Sequence, residues 1–231
     1  MVKENTFSFC PFRLKENIDF LNDTFSEKKM SWTLILKMFQ GKVPEDLFLS
    51  LGEMGIKSVG SDELEHLAFF KSNKTDIVTW FLNYDGTEVI PEFVDVNLTH
   101  KETDSNHTTC IMLELDTERY GLPLEELRKS PEQYSFLGAY LNCNMLPEEY
   151  FYKKWANLKI PESTIQSLGT SVSFPIADKL AEAGINHFRI GELAFFGRNI
   201  TTNEPIHGMR TDVFTSPSSV SYHFFSKRAF A

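Results

Sequence analysis

Residues 56–82, IKSVGSDELEHLAFFKSNKTDIVTWFL, decide how this chain folds. Residues 56–59, bounded by Gly55 and Gly60, are strand-like. Ser61 is placed to cap a helix over residues 62–71, with Glu63 and Glu65 near its positive end. Residues 76–82, DIVTWFL, then read as a strand buried on both faces. Strand, helix and strand in this order make a crossover unit, and such units set their two strands parallel.

The same alternation continues in both directions. Upstream, Leu14, Ile18, Leu21 and Phe25 recur at helical spacing within residues 14–25, and residues 32–39 read as a buried strand with Lys37 near its C-terminal end. Residues 44–54 open with Pro44, carry Leu47, Leu49 and Leu51, and stop at Gly55, as a helix does. Downstream, strands are expected at 93–98, 110–115, 135–141, 164–168 and 187–190, and helices at 124–129, 147–155 and 176–182. About eight strand candidates alternating with helical segments imply an α/β fold, a parallel (β/α)8 TIM-type barrel, with a doubly wound open sheet as the competing topology. The stretch from Leu98 to Thr109 is too short and polar for the usual helix, and a similar shortening falls between Asn142 and Leu168, so shortened or missing helices are expected.

At 231 residues with 42% hydrophobic and 13% aromatic content, the chain can bury one large core. A net charge of −9 opposes general affinity for nucleic-acid backbones or anionic lipid, so neither nucleic acid nor membrane is expected as a partner. Residues 1–12 carry Lys3 and Glu4 without an apolar signal core, and no later stretch has the length of a membrane span, so the expected location is cytoplasmic. Three widely spaced cysteines, Cys10, Cys110 and Cys143, suit reduced thiols. His107 and Cys110 lack a second pair at metal-ligand spacing, so no metal is expected. Gly41-Lys42 lacks the upstream glycine of a P-loop, and no Gly-x-Ser-x-Gly elbow is present, which disfavours nucleotide hydrolysis and serine-esterase chemistry.

Four segments carry a resemblance: WTLILKMFQG (32–41), MLELDTERYG (112–121), LGTSVSFP (168–175) and NHFRIGELAFFG (186–197), the last two being the most specific. Together they resemble the N-terminal domain family of pyridoxal-phosphate (PLP)-dependent alanine racemases, fold type III, and within it the ornithine-racemase-like branch. The likeness runs with gaps from about Phe7 to Thr215.

The resemblance implies a PLP barrel and assigns roles. Lys37 matches the lysine that forms the internal aldimine and exchanges the Cα proton, work that needs a primary amine in a partly desolvated pocket. Arg189, in Phe188-Arg189-Ile190-Gly191, matches the arginine facing the pyridine nitrogen; a group that cannot give up its proton keeps that nitrogen unprotonated and favours reversible proton removal at Cα. Thr170 and Ser171, with the Gly191-Glu192 turn, match the backbone donors around the phosphate. Arg119 matches an arginine near the cofactor's phenolic oxygen or the substrate carboxylate, and Asn142, beside Cys143, a residue on the cofactor face. Taken alone, Lys37 reads as a lysine snorkelling from a strand end, Arg189 as a surface ion-pair residue, and Gly169-Thr170-Ser171 as an ordinary turn and cap.

The implied activity is amino-acid racemisation on a small-molecule amino acid, in a homodimer. The sequence also departs from the family. Ser61-Asp62-Glu63 stands where an Asp-Ser-Arg-like stretch is usual, and Gly41 leaves no tyrosine shortly after Lys37. The barrel is expected over residues 1–208, and residues 209–231 resemble only the start of the family's C-terminal β domain, which in two-domain racemases supplies the second base. Two further readings therefore stand beside the racemase: a single-domain PLP-binding or homeostasis protein without turnover, and a degenerate barrel serving as an interaction scaffold.

Overall fold

A computed structural model describes residues 8–39, 45–73, 76–83, 88–101, 107–114, 121–130, 133–140, 148–169, 171–199 and 202–215. In chain order these form β1 (Ser8–Phe9), α1 (Pro11–Glu27), β2 (Ser31–Ile35), α2 (Glu45–Glu53), β3 (Ser58–Ser61), α3 (Leu64–Ser72), β4 (Val78–Leu82), β5 (Val96–Thr99) and β6 (Thr108–Glu114). There follow β7 (Leu122–Pro123), α4 (Leu124–Leu127), β8 (Phe136–Tyr140), α5 (Glu148–Ala156), β9 (Ile165–Gly169), a 3₁₀ segment (Ser171–Ile176), α6 (Ala177–Glu182), β10 (His187–Ile190), α7 (Glu192–Phe196) and β11 (Phe214–Thr215).

Eight of these strands close into a parallel ring. The order runs β5-β4-β3-β2-β10-β9-β8-β6, and β6 pairs back to β5 with Val96 opposite Thr108 and Leu98 opposite Cys110. The fold is a (β/α)8 barrel, and the open doubly wound sheet is excluded by that closing pair. Strands in such a ring are covered on both faces, which is why β4 reads as a largely apolar run and why even the polar His187 and Arg189 of β10 are buried.

Side-chain alternation divides each strand between two cores. Outward residues, among them Leu34, Leu137, Leu168 and Ile190, are fully buried against the helices. Inward residues, including Trp80, Leu82, Leu98, Cys110, Met112 and Phe136, form a separate cluster inside the ring. Helix α1 contributes Leu14, Ile18, Leu21 and Phe25 to the outer core, the spacing seen in the sequence. Its buried Asn17 donates to the carbonyls of Ala194 and Arg210, both at 2.9 Å, and accepts from the Arg210 backbone, tying α7 and the 209–215 segment to the barrel. Gly197, at φ +59, ends α7 where that segment crosses, and a Cβ there would run into the Arg210 carbonyl.

The expected elements are present with shifted ends. Strand β2 stops at Ile35, so Lys37 lies in the following turn rather than in the strand. Helix α3 starts at Leu64, and Ser61 gives no helix cap; its hydroxyl accepts the Glu63 backbone N–H at 3.1 Å and meets His66 Nδ1 at 2.9 Å. No described residue between β5 and β6 is helical, as the short polar stretch implied, whereas the second shortened stretch, 142–168, carries the nine-residue α5. Helix α7 and the short β1–β11 pair were not anticipated. Among the described residues, no helix is long and apolar enough to cross a membrane.

Candidate functional site

The barrel interior is built in two storeys. At the lower level the His187 ring lies flat on Trp80, with centroids 4.7 Å apart and planes 8° apart, and Phe136 meets Trp80 edge-on at 4.9 Å. This aromatic layer seals the floor. Through it runs a chain of polar side chains: Ser167 Oγ to His187 Nδ1 at 2.8 Å, His187 Nε2 to Thr33 Oγ1 at 3.0 Å, and Thr33 Oγ1 to Ser58 Oγ at 2.8 Å. Burial and the neighbouring Arg189 charge hold the His187 pKa down to about 3, so the ring is neutral.

Arg189 stands one inward position above His187 on β10 and is only 3% exposed. Its Nη1 donates to Ser167 Oγ at 2.7 Å and to the Ser167 carbonyl at 3.1 Å, while Nη2 donates to the Ala139 carbonyl at 2.7 Å and towards Met112 Sδ at 3.6 Å. A buried cation persists only where its donors find acceptors, and these contacts fix the plane of the guanidinium. Gly138 makes the room. A Cβ there would meet Met112 Sδ at 2.6 Å, Cys110 Sγ at 3.0 Å and Arg189 Nη1 at 3.2 Å. Burial pushes the Cys110 thiol up to about 12 despite Arg189, so it stays protonated and is no nucleophile.

Lys37 occupies the rim above the same wall. Leu36 N–H continues the ladder to the Gly60 carbonyl at 2.8 Å, and Phe39 N–H closes a turn to the Leu36 carbonyl at 2.9 Å, with Lys37 inside that turn. Strands β2 and β10 are hydrogen-bonded neighbours with Arg189 opposite Thr33, and Lys37 follows four residues after Thr33, in the turn beyond the end of β2. Asp62, on the loop after the adjacent β3, is half-buried within electrostatic reach of Lys37; burial raises its carboxyl pKa, against the pull of its own backbone hydrogen bond and of Lys37.

Gly191 follows the last residue of β10, and a Cβ there would press on the Ile35 carbonyl at 3.2 Å, so the rim needs glycine for its close approach to β2. Glu192 follows, half-buried, its carboxyl raised by burial. Ser171 opens the 3₁₀ segment after β9. Lys37, Arg189, Gly191, Glu192 and the Ser171 backbone therefore fall at or just below the C-terminal ends of three consecutive barrel strands. Thr170, Arg119 and Asn142 lie outside the described residues. His107, weighed as half of a metal pair, has its Nδ1 2.9 Å from the Val94 carbonyl, while Cys110 faces the barrel interior.

Sequence reasoning missed the support beneath Arg189. His187 and Arg189 are two apart in NHFRIG, and that spacing puts both on one face of a strand. Ser167 stands on the neighbouring strand opposite His187, a pairing that only the register reveals. Asp62 was noted as a departure from the family pattern, without its place beside Lys37.

No protein-family model matches this sequence, and no curated protein does. Solved structures do share its shape. An alanine racemase from Oenococcus oeni superposes with a TM-score of 0.64 at 13% identity, covering 91% of this chain and 69% of that one. An alanine racemase from Bartonella henselae with covalently bound pyridoxal phosphate gives 0.60 at 15% identity, over 87% of this chain and 64% of that one. A lysine/ornithine decarboxylase from Vibrio vulnificus gives 0.59 at 8% identity, over 85% and 65%. This chain thus spans about two thirds of the length of these proteins. At such identities the likeness establishes the fold: the chain has the (β/α)8 barrel that these racemases and decarboxylases share.

Proposed function

We propose that this chain is a PLP-binding barrel of fold type III and acts as an amino-acid racemase of the alanine/ornithine racemase kind. The observation that carries the reading is the placing of an amine, Lys37, in the turn that follows β2, and of a buried guanidinium, Arg189, on β10, the strand hydrogen-bonded to β2, one at the rim and one beneath it. Gly138 lets the guanidinium lie against β8, and Gly191 lets the backbone after β10 approach the Ile35 carbonyl, so both glycines serve the wall that carries the two groups.

When bound, PLP supplies the electron sink that makes a Cα–H acidic. The residues do the rest. Lys37 would hold the cofactor and move the proton at Cα. Arg189, a donor that does not release its proton, would face the ring nitrogen and keep it unprotonated, which weakens the sink and favours proton exchange over decarboxylation. Backbone N–H groups at Thr170, Ser171, Gly191 and Glu192 would receive the phosphate, and Arg119 and Asn142 would flank the ring and the substrate carboxylate. The partner is a small-molecule amino acid. Exchange on both faces of Cα needs a second acid, which this reading assigns to a homodimer.

Asp62 and Glu192 put two half-buried carboxyl groups at the rim, where an amino-acid carboxylate would arrive. That observation favours, as a second reading, a barrel that binds PLP without turnover. Addition of PLP, followed by Cα hydrogen–deuterium exchange over a panel of amino acids, separates the two. An absorption band near the visible edge, lost in Lys37→Ala and accompanied by exchange, supports the racemase. A band without exchange favours the second reading, and no band contradicts both.

A further inference from the structure

The chain of side chains below Arg189 has a direction. A guanidinium has only donors, so Ser167 Oγ must accept from Arg189 Nη1 at 2.7 Å. The single hydroxyl hydrogen of Ser167 then points to its other partner, His187 Nδ1, at 2.8 Å. With Nδ1 accepting, a neutral ring carries its hydrogen on Nε2, which donates to Thr33 Oγ1 at 3.0 Å, and Thr33 in turn faces Ser58 Oγ at 2.8 Å. Every donor in the series points away from the cation.

We propose that His187 is a positioning residue for Arg189: as the Nε2–H tautomer it holds the Ser167 hydroxyl with its lone pairs turned to the guanidinium, and so fixes the plane that Arg189 presents to the barrel mouth. A neutral acceptor orients the guanidinium without cancelling its charge, as a carboxylate in that place would. The flat stack on Trp80 and the edge contact of Phe136 at 6.0 Å prevent the ring from turning over. The charged group acting on the ring is Arg189 from its own strand, and the protonated Cys110 thiol of β6 acts on the guanidinium rather than on the ring. Protonation of His187 would require both ring nitrogens to donate, forcing the Ser167 hydroxyl to reverse. The significance of this arrangement for catalysis rests on the PLP reading; its geometry does not.

The test uses the full chain without cofactor, labelled with ¹⁵N histidine and arginine. Expected for the wild type are an unprotonated Nδ1 and a protonated Nε2 on His187, unchanged from about pH 5 to about pH 8, and separate, slowly exchanging Nη–H signals for Arg189. Those signals should merge in Ser167→Ala and in His187→Phe, and remain separate in His187→Asn, whose Oδ1 replaces the Nδ1 acceptor. Ser167→Ala covers the case in which His187→Phe fails to fold. A His187 that titrates in this range, an Nδ1–H tautomer, or unaltered Arg189 signals in a folded Ser167→Ala protein would overturn the proposal. Failure of the wild type to bind PLP defeats the proposed function but leaves these signals, and the role of His187, to be decided on their own.

Discussion

The His187 imidazole lies flat against the Trp80 indole, 8° from parallel, one inward position below the Arg189 guanidinium of the same strand. A histidine so buried is neutral in the folded chain down to about pH 3, whereas in the unfolded chain it titrates near 6.5. The folded pKa is depressed, so the stability it supports is complete above 6.5 and drains away as pH falls towards 3. The slope from this one group is about 1.4 kcal/mol per pH unit within that window. Asp62 and Glu192 have raised values and act in the opposite sense, their contribution being present at low pH and lost as pH rises through their folded pKa. Urea unfolding of wild type and His187→Phe across the window isolates the histidine: the variant should be less sensitive to acid, and equal slopes would contradict the burial argument.

Gly138 is the position where the interior has least to spare. Gly138→Ala places a methyl group on Met112 Sδ, Cys110 Sγ and the Arg189 guanidinium together, and the guanidinium cannot move without losing its bonds to Ser167 and Ala139. The expected cost is about 1–3 kcal/mol by chemical denaturation. A neutral effect would mean that this wall is looser than its distances indicate.

Asn17 makes a purely structural prediction. Replacement by Ala strands the Ala194 and Arg210 carbonyls and the Arg210 N–H, all held by one buried amide. A loss of about 3 kcal/mol is expected, with early release of residues 209–215 in hydrogen exchange.

Thiol chemistry gives a further check. Cys110 is fully buried with its pKa pushed up to about 12, whereas Cys10 is partly exposed. Alkylation mapped by mass spectrometry should label Cys10 in the native protein and reach Cys110 only with global unfolding.

Much of this was legible in the sequence, for identifiable reasons. The strands showed most clearly where burial on both faces gives a largely apolar run, as in β4, and residues 187–190 agree with β10 end to end. Strand ends blurred where apolar character outlasts the ladder: Leu36, Met38 and Phe39 pack on the core although β2 has ended, which drew Lys37 into the strand. The rim residues stood out by chemical type. The floor did not, because Ser167, Gly138 and His187 are ordinary residues until the register of β8, β9 and β10 sets them around one guanidinium. The count of eight alternating strands favours a closed barrel over the open sheet, and the β5–β6 pair decides between them, since it joins strands by backbone hydrogen bonds that leave no mark in side-chain pattern.

The central claim is that the amine of Lys37 is the one that takes up PLP. Borohydride reduction of the PLP-treated chain, followed by peptide mapping, tests it directly. The pyridoxyl group is expected on Lys37 alone and should vanish in Lys37→Ala; label spread over surface lysines, or undiminished in that variant, would contradict the account.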